Sequence, residues 1–249
     1  MINIKTSYEI ELMSTAGNIV YQTHLLLQKH IKPGISTKQL EKIAEDFIHK
    51  NDAIPSFKGF DGFPASICTS INEEVVHGIP NNYILKKGDI ISIDIGVCYK
   101  GYHSDSAWTY PVLEIDKDKT NLLKHTKEAL YKGINEVKPN ARIGDISDAI
   151  ESYAKKHNLG IIKELVGHGV GKSLHEEPEV PNYGYKKTGQ KLKEGMVIAI
   201  EPMLTLGKRY ISILNDNWTI VTNDGLPAAH FEHTVLVTKD GYQILTGEW

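Results

Sequence analysis

The sequence predicts an α+β chain made of two similar halves, and three observations predict it. Helical periodicity followed by strand-like alternation occurs twice along the 249 residues. Short strings also recur in order. Ile31-Lys32-Pro33-Gly34 returns 106 positions on as Val137-Lys138-Pro139-Asn140, and Lys87-Gly88-Asp89-Ile90-Ile91-Ser92-Ile93-Asp94 returns 107 positions on as Glu194-Gly195-Met196-Val197-Ile198-Ala199-Ile200-Glu201. His103-x-Asp105 is likewise matched by His230-x-Glu232. Finally, each half carries lone carboxylates inside strongly apolar, strand-like segments.

The first helix is announced by Thr6-Ser7-Tyr8-Glu9, a capping box, and by apolar positions Ile10, Met13, Gly17, Val20, Leu25 and Leu27, ending before Pro33-Gly34. A second capping box, Ser36-Thr37-Lys38-Gln39, opens a helix whose Leu40, Ile43, Ala44, Phe47 and Ile48 recur at helical spacing. From 54 to 112 the pattern shifts to short Ile-, Val-, Thr- and Tyr-rich segments cut by Gly and Pro, which read as strands and turns. Leu122, Leu123, Thr126, Ala129, Leu130 and Ile134 mark a third helix, and Ile146, Ala149, Ile150, Tyr153 and Ala154 a fourth. A second strand-rich stretch fills 162–247. The halves run over about 1–115 and 116–249 and are expected to form one domain, 1–249.

Composition narrows the function. With 28 Lys+Arg against 31 Asp+Glu the formal charge is −3, and 41% of residues are hydrophobic, enough for a substantial core. No run of five like charges offers a footprint for nucleic acid or an anionic membrane, no apolar run reaches membrane-spanning length, and the start lacks the layout of a signal peptide. Two cysteines, Cys68 and Cys98, are too few for a disulfide scaffold and read as free thiols. A cytoplasmic protein is expected, acting through local chemistry.

That chemistry starts with the carboxylates. Alternation places Ile91, Ile93, Ile95 and Val97 on one strand face, so Ser92, Asp94 and Gly96 share the other. Asp94 therefore stands where a core strand does not want a charge. Glu201 ends the apolar run from Met196 in the same way, and Asp105 and Glu232 lie within Tyr102–Ala107 and Ala229–Val237. Any one of these acids alone reads as a strand-end residue in water or in a salt bridge. Four together do not, because an isolated buried carboxylate is normally paired, protonated or bound to metal. The duplication sets Asp94 opposite Glu201 and Asp105 opposite Glu232, converging where the same strands bring no basic partner. A pair of divalent cations is the economical compensation. Carboxylate oxygens with one imidazole suit Mn, Fe or Co, with Zn an alternative, and bridging carboxylates hold two metals about 3.5–4 Å apart.

The imidazole candidate is His168 in Gly167-His168-Gly169-Val170-Gly171, whose flanking glycines remove bulk and let the ring approach a metal or substrate. His175, seven residues on, is a separate polar group beside the same turn. His77, before Gly78-Ile79-Pro80, is placed to project into a cleft from a loop. His24, His30, His49, His125 and His157 read as ordinary surface or core residues.

These residues resemble type I methionine aminopeptidases of the short bacterial form, M24 metallopeptidases with the pita-bread fold. The likeness covers essentially the whole chain. It is carried by Ser70-Ile71-Asn72-Glu73, His77-Gly78-Ile79-Pro80, Asp94-Ile95-Gly96, Asp105, Gly167–Gly171, His175-Glu176-Glu177-Pro178, Ile200-Glu201-Pro202 and Glu232-His233-Thr234. It implies two pseudo-symmetric halves, each with two helices and antiparallel strands, forming a curved sheet around a central metal site. It further implies that Asp94 chelates one of two divalent ions, that Asp105 and Glu232 bridge them, and that His168 and Glu201 complete the tighter site. Co, Mn or Fe are favoured, with Zn or Ni as alternatives. A water or hydroxide between the metals would be the nucleophile, Glu201 would shuttle its proton, and His77 and His175 would bind the scissile peptide.

The same resemblance marks a methionine pocket of Phe57, Phe60, Phe63, Cys68, Leu174 and Trp218, a sulfur-tolerant slot that fits a thioether. Tyrosine is more usual at positions 60 and 63 and phenylalanine at 174, so the pocket departs in size and polarity. The implied reaction is removal of the N-terminal methionine from nascent chains and peptides whose second residue is small. The ribosome is a candidate partner, no nucleic acid or membrane is expected, and the chain is expected to act as a monomer. Two rival readings are a proline-directed peptidase of the same fold, and a metal-free module that binds peptide or RNA. The second is disfavoured by the full set of four acids and one imidazole, Asp94, Asp105, His168, Glu201 and Glu232, and by the absence of a basic patch.

Overall fold

The computed structural model describes residues 2–247; Met1, Glu248 and Trp249, which the single-domain expectation for 1–249 includes, lie outside the described residues. In the first half, α1 (Ser7–Gln28) and α2 (Thr37–Lys50) precede β1 (Ile54–Pro55), β2 (Cys68–Ile71), β3 (Glu74–Val76), β4 (Ile90–Tyr99) and β5 (Tyr102–Pro111). Both expected capping boxes form. The Thr6 N–H donates to Glu9 at 2.8 Å, and the Ser36 N–H donates to Gln39 at 2.8 Å. The first helix stops at Gln28, short of Pro33, because the N–H groups of His30 and Ile31 both fold back on the Leu27 carbonyl.

The second half repeats the order. Helices α3 (Lys117–Ile134) and α4 (Ile143–Lys156) precede β6 (Gly160–Ile161), β7 (Gly167–Gly169), β8 (Glu176–Val180), β9 (Val197–Ile200) and β10 (Met203–Thr205). Then come β11 (Ile211–Ile213), β12 (Ile220–Thr222), β13 (Ala228–His230), β14 (His233–Val237) and β15 (Tyr242–Ile244). Each helix pair packs its apolar stripe on strands of its own half. Leu27, Leu40, Ala44 and Ile48 meet Ile91, Ile93, Ile95 and Val97, and Leu122, Leu130, Ile146 and Ile150 meet Ile198, Ile200 and Val235.

The strand pairings among the described residues are antiparallel. One sheet runs β1-β4-β2 with β5 also on β4, and a second runs β15-β14-β9-β7-β8. Two three-stranded sheets, β13-β10-β6 and β11-β12-β3, complete the set. The last ties β3 of the first half to second-half strands, a crossover that periodicity does not foretell.

The halves meet along a polar seam. The Asp105 N–H donates to Thr234 Oγ1 at 3.0 Å, the Glu232 N–H to the Ala107 carbonyl at 2.8 Å, and the His230 N–H to Thr109 Oγ1 at 3.0 Å. Pairs 105/234, 107/232 and 109/230 step by two in opposite directions, as antiparallel neighbours do, although side-chain hydroxyls make several of the bonds. This register brings Asp105 and Glu232 together.

Candidate active site

Strand β4 is paired along its length to β5, with Asp94 opposite Ala107 and Gly96 opposite Asp105. Ile91, Ile93, Ile95 and Val97 are fully buried on the expected core face, so Asp94 is turned toward the other side by the period of two. Glu201 and Glu232 depart from the strand-like setting expected of them. Glu201 follows the last residue of β9 and precedes Pro202, and Glu232 sits in the break between β13 and β14. There the chain leaves one sheet for another, and its backbone is satisfied across the seam rather than in a ladder.

All four acids line one cavity of about 620 Å³, together with His77, His168, His175 and His230 and without a lysine or arginine among its described walls. His168 Nε2 lies 3.5 Å from Asp105 Oδ2 and 3.6 Å from Glu201 Oε1. Its Nδ1 is 2.8 Å from the Gly169 carbonyl, which assigns the ring proton to Nδ1 and leaves the Nε2 lone pair facing the acids. Asp105, His168 and Glu232 offer donor atoms within 4.8 Å of one another. The Thr234 hydroxyl, 3.0 Å from Asp105 Oδ1, braces the first of these.

The electrostatics show what this arrangement lacks. Burial, then the charges of Asp105 and Glu201, push the Asp94 carboxyl well above its ordinary range. Glu232 is driven up in the same way by burial and by Asp105, Glu201 and Asp94. Burial raises Glu201 to about 8, with the Asp105 charge adding and His168 opposing. Asp94 Oδ1 is buried without a hydrogen-bond partner among the described residues. An orphaned carboxylate oxygen among like charges fits a divalent cation, so the five donors Asp94, Asp105, His168, Glu201 and Glu232 suit the group expected of them.

The flanking glycines of His168 have a different use from the one the sequence implied. A Cβ on Gly167 would lie 2.4 Å from the Ala199 carbonyl, and one on Gly169 would lie 2.3 Å from the Glu177 carbonyl. They let β7 fit between β8 and β9, and thereby set where His168 points. Leading out of β3, His77 takes a left-handed φ of 59° and reaches the cavity; burial first, then His230, lowers its ring to about 4. The His175 ring stands edge-on to His168 at 4.2 Å and to Phe60 at 5.1 Å.

Phe57, Phe60, Phe63, Cys68, Leu174 and Trp218 line the same cavity. Phe63, Ala65 and Cys68 form a small cluster with Phe57 and Trp218, separate from the two main cores. Phe63 meets Trp218 edge-on at 5.1 Å. Both cysteines are free, and Cys68, opposite Asp94 across the β2–β4 pair, has its thiol pushed up by burial and then by the Asp94 and Glu232 charges.

Two neighbours of Glu201 escape the sequence argument. His230 Nε2, buried, is 3.4 Å from Glu201 Oε2, and Asn182 donates to the Glu201 carbonyl at 3.0 Å. The match between His103 and His230 was a signal for the first. Nothing in the sequence marks the second.

A cavity with a carboxylate-and-imidazole floor and an aromatic wall, set between two similar halves, defines a metallopeptidase class. The profile of metallopeptidase family M24 matches residues 11–239, and the chain belongs to that family, whose members use divalent metal. Within it the likeness is narrower. The chain is 57% identical over 246 residues to methionine aminopeptidase 1 of Bacillus subtilis (strain 168), covering 99% of each. It matches the crystal structure of methionine aminopeptidase from Thermotoga maritima with a TM-score of 0.98 at 43% identity, over 100% of both chains. The expected pita-bread fold is thus the one found. Prolidase from Pyrococcus furiosus is more distant, with a TM-score of 0.77 at 25% identity; the chain spans 66% of it.

Proposed function

We propose that the protein is a dinuclear metallo-aminopeptidase that removes methionine from the N-termini of nascent chains and peptides when the second residue is small. The observation that carries the reading is a single one: an aromatic and thioether-compatible slot opens onto a floor of buried acids that the protein itself does not neutralise. Asp94, Asp105, His168, Glu201 and Glu232 would hold two divalent ions, Co, Mn or Fe before Zn or Ni, and these when bound acidify water and polarise the peptide carbonyl. Phe57, Phe60, Phe63, Cys68, Leu174 and Trp218 seat the methionine side chain and exclude water from it. Glu201 takes the proton released as water adds to the carbonyl carbon and delivers it to the departing amine. His175 donates an N–H to the carbonyl oxygen as charge builds there, and His77 binds the peptide from the same cavity.

Sequestering methionine beside a crowded floor leaves room for only a small second side chain. Metal-loaded protein should cleave Met-Ala-Ser at least about 100-fold more efficiently than Met-Leu-Ser by kcat/KM, and should leave Ala-Pro peptides intact. Elemental analysis should find two metals per chain. Equal rates on the two methionyl peptides would overturn the size rule, and preferential cleavage of Ala-Pro would replace the whole reading with the proline-directed one.

A further inference from the structure

The turn between His168 and His175 is held from outside by the first residues of the chain. Glu176 opens β8 opposite Gly169, so it is covalently next to His175 and in register with the strand that carries His168. Its side chain is only 10% exposed, and its carboxylate meets the ammonium of Lys5, whose side chain is 5% exposed, at 2.7 Å. Asn3 adds a donor to the same oxygen at 3.3 Å, and the Ser173 N–H donates to the other at 3.2 Å. The carboxylate fills the space beside Gly171, where a Cβ would lie 2.4 Å from Oε1. Lys5 is fixed in turn, its N–H donating to the Gly195 carbonyl at 2.8 Å. A lysine and a glutamate with side chains this little exposed are rare unless paired, and here the side-chain polar contacts of the pair face the 171–176 turn or the segment 3–5.

The geometry points to Lys5 as a positioning residue: through Glu176 it fixes the turn and thereby aims the His175 ring into the cavity. The importance of that aim rests on the aminopeptidase reading; the contacts themselves do not. Misplacing a donor by about 1 Å can cost 100-fold in rate, and an ammonium lost from a buried pair leaves Glu176 free to rearrange the turn.

Two variants separate this role from a merely structural one. Lys5→Met keeps the stem and removes the charge, and Lys5→Arg restores it. On Met-Ala-Ser, Lys5→Met should lower kcat about 10- to 100-fold with KM changed less than about 3-fold and metal content intact, the pattern of a lost outer-shell support. Lys5→Arg should recover most of kcat. In a His175→Ala background the Lys5→Met loss should vanish, because the group it acts through is gone. In metal-free wild type and Lys5→Met protein, the His175 ring resonances should differ, a readout that holds even if Met-Ala-Ser proves not to be a substrate. The double variant Lys5→Met/Glu176→Gln, which leaves neither charge of the pair without its partner, should show the same pattern and serves if Lys5→Met does not fold. An unchanged kcat with a lowered melting temperature, an undiminished loss in the His175→Ala background, or unmoved His175 resonances would each overturn the inference.

Discussion

Carboxylates are buried or half-buried in two neighbouring regions of the molecule, and they are treated in opposite ways. Glu176 is met by Lys5, Asn3 and a backbone N–H, and despite its burial these hold its carboxyl below the ordinary range. Asp94, Glu201 and Glu232 meet one another and Asp105, and burial with mutual repulsion drives their proton affinity up. The difference teaches that burial of charge does not mark a site. What marks it is burial without internal compensation, since a fold that neutralises Glu176 with one lysine leaves four acids on the cavity floor to an external cation.

The comparison is broken most directly by removing an acid from the uncompensated side. Asp105→Asn should lose more than the 10- to 100-fold in metal affinity that outer-shell changes cost, with activity falling in parallel. The same variant exposes a linked stability effect. At a metal concentration about 100 times the dissociation constant, wild type should gain about 2.7 kcal/mol, or roughly 5–11 °C in melting temperature for a chain of this size. Asp105→Asn should gain little of it. Equal metal content and an equal thermal shift in both proteins would show that the floor is compensated in some other way.

A milder effect is expected where the group lines the cavity without belonging to the floor. His175→Ala should lower kcat by about 100- to 1000-fold, the range for loss of one oxyanion donor, while metal content stays near that of wild type. Loss of metal in that variant would move His175 into the ligand set.

Which of these residues were legible in the sequence follows from what each depends on. The helices were, because Thr6 and Glu9, or Ser36 and Gln39, are three residues apart and carry their own signal. Asp94 was, because the isoleucines around it fix its face. The seam was not: Ser106, Thr109 and Thr234 alternate with apolar residues like any solvent-facing polar group, and their bonds span more than 120 positions. Lys5 reads as a solvated lysine until its partner, 171 residues away, is placed beside it. The aromatic pocket was legible only by resemblance, since Phe57, Phe63 and Trp218 look the same in a core as beside a cavity.

The smallest expected effect sharpens the comparison from a position between its two extremes. Glu74 of β3 is a partly buried acid with one backbone donor, the Ile71 N–H at 2.7 Å, and no salt-bridge partner among the described residues. Burial pushes its carboxyl up to about 7 against that hydrogen bond, with the Glu73 and Asp216 charges adding to the rise. Because the folded protein holds this proton more tightly than the unfolded chain, the stabilising contribution is complete below about pH 4.5 and is lost as pH rises through 7. After a discount for partial exposure the loss is on the order of 2 kcal/mol. Glu74→Gln removes the titration while keeping an acceptor for the Ile71 N–H. In urea unfolding, variant and wild type should therefore be nearly equal in stability at pH 5, with the variant ahead by about that amount at pH 8. Taking the difference between the two proteins cancels the titration of the metal ligands, which both share. A difference that does not change between pH 5 and pH 8 would mean that Glu74 is compensated after all and belongs with Glu176.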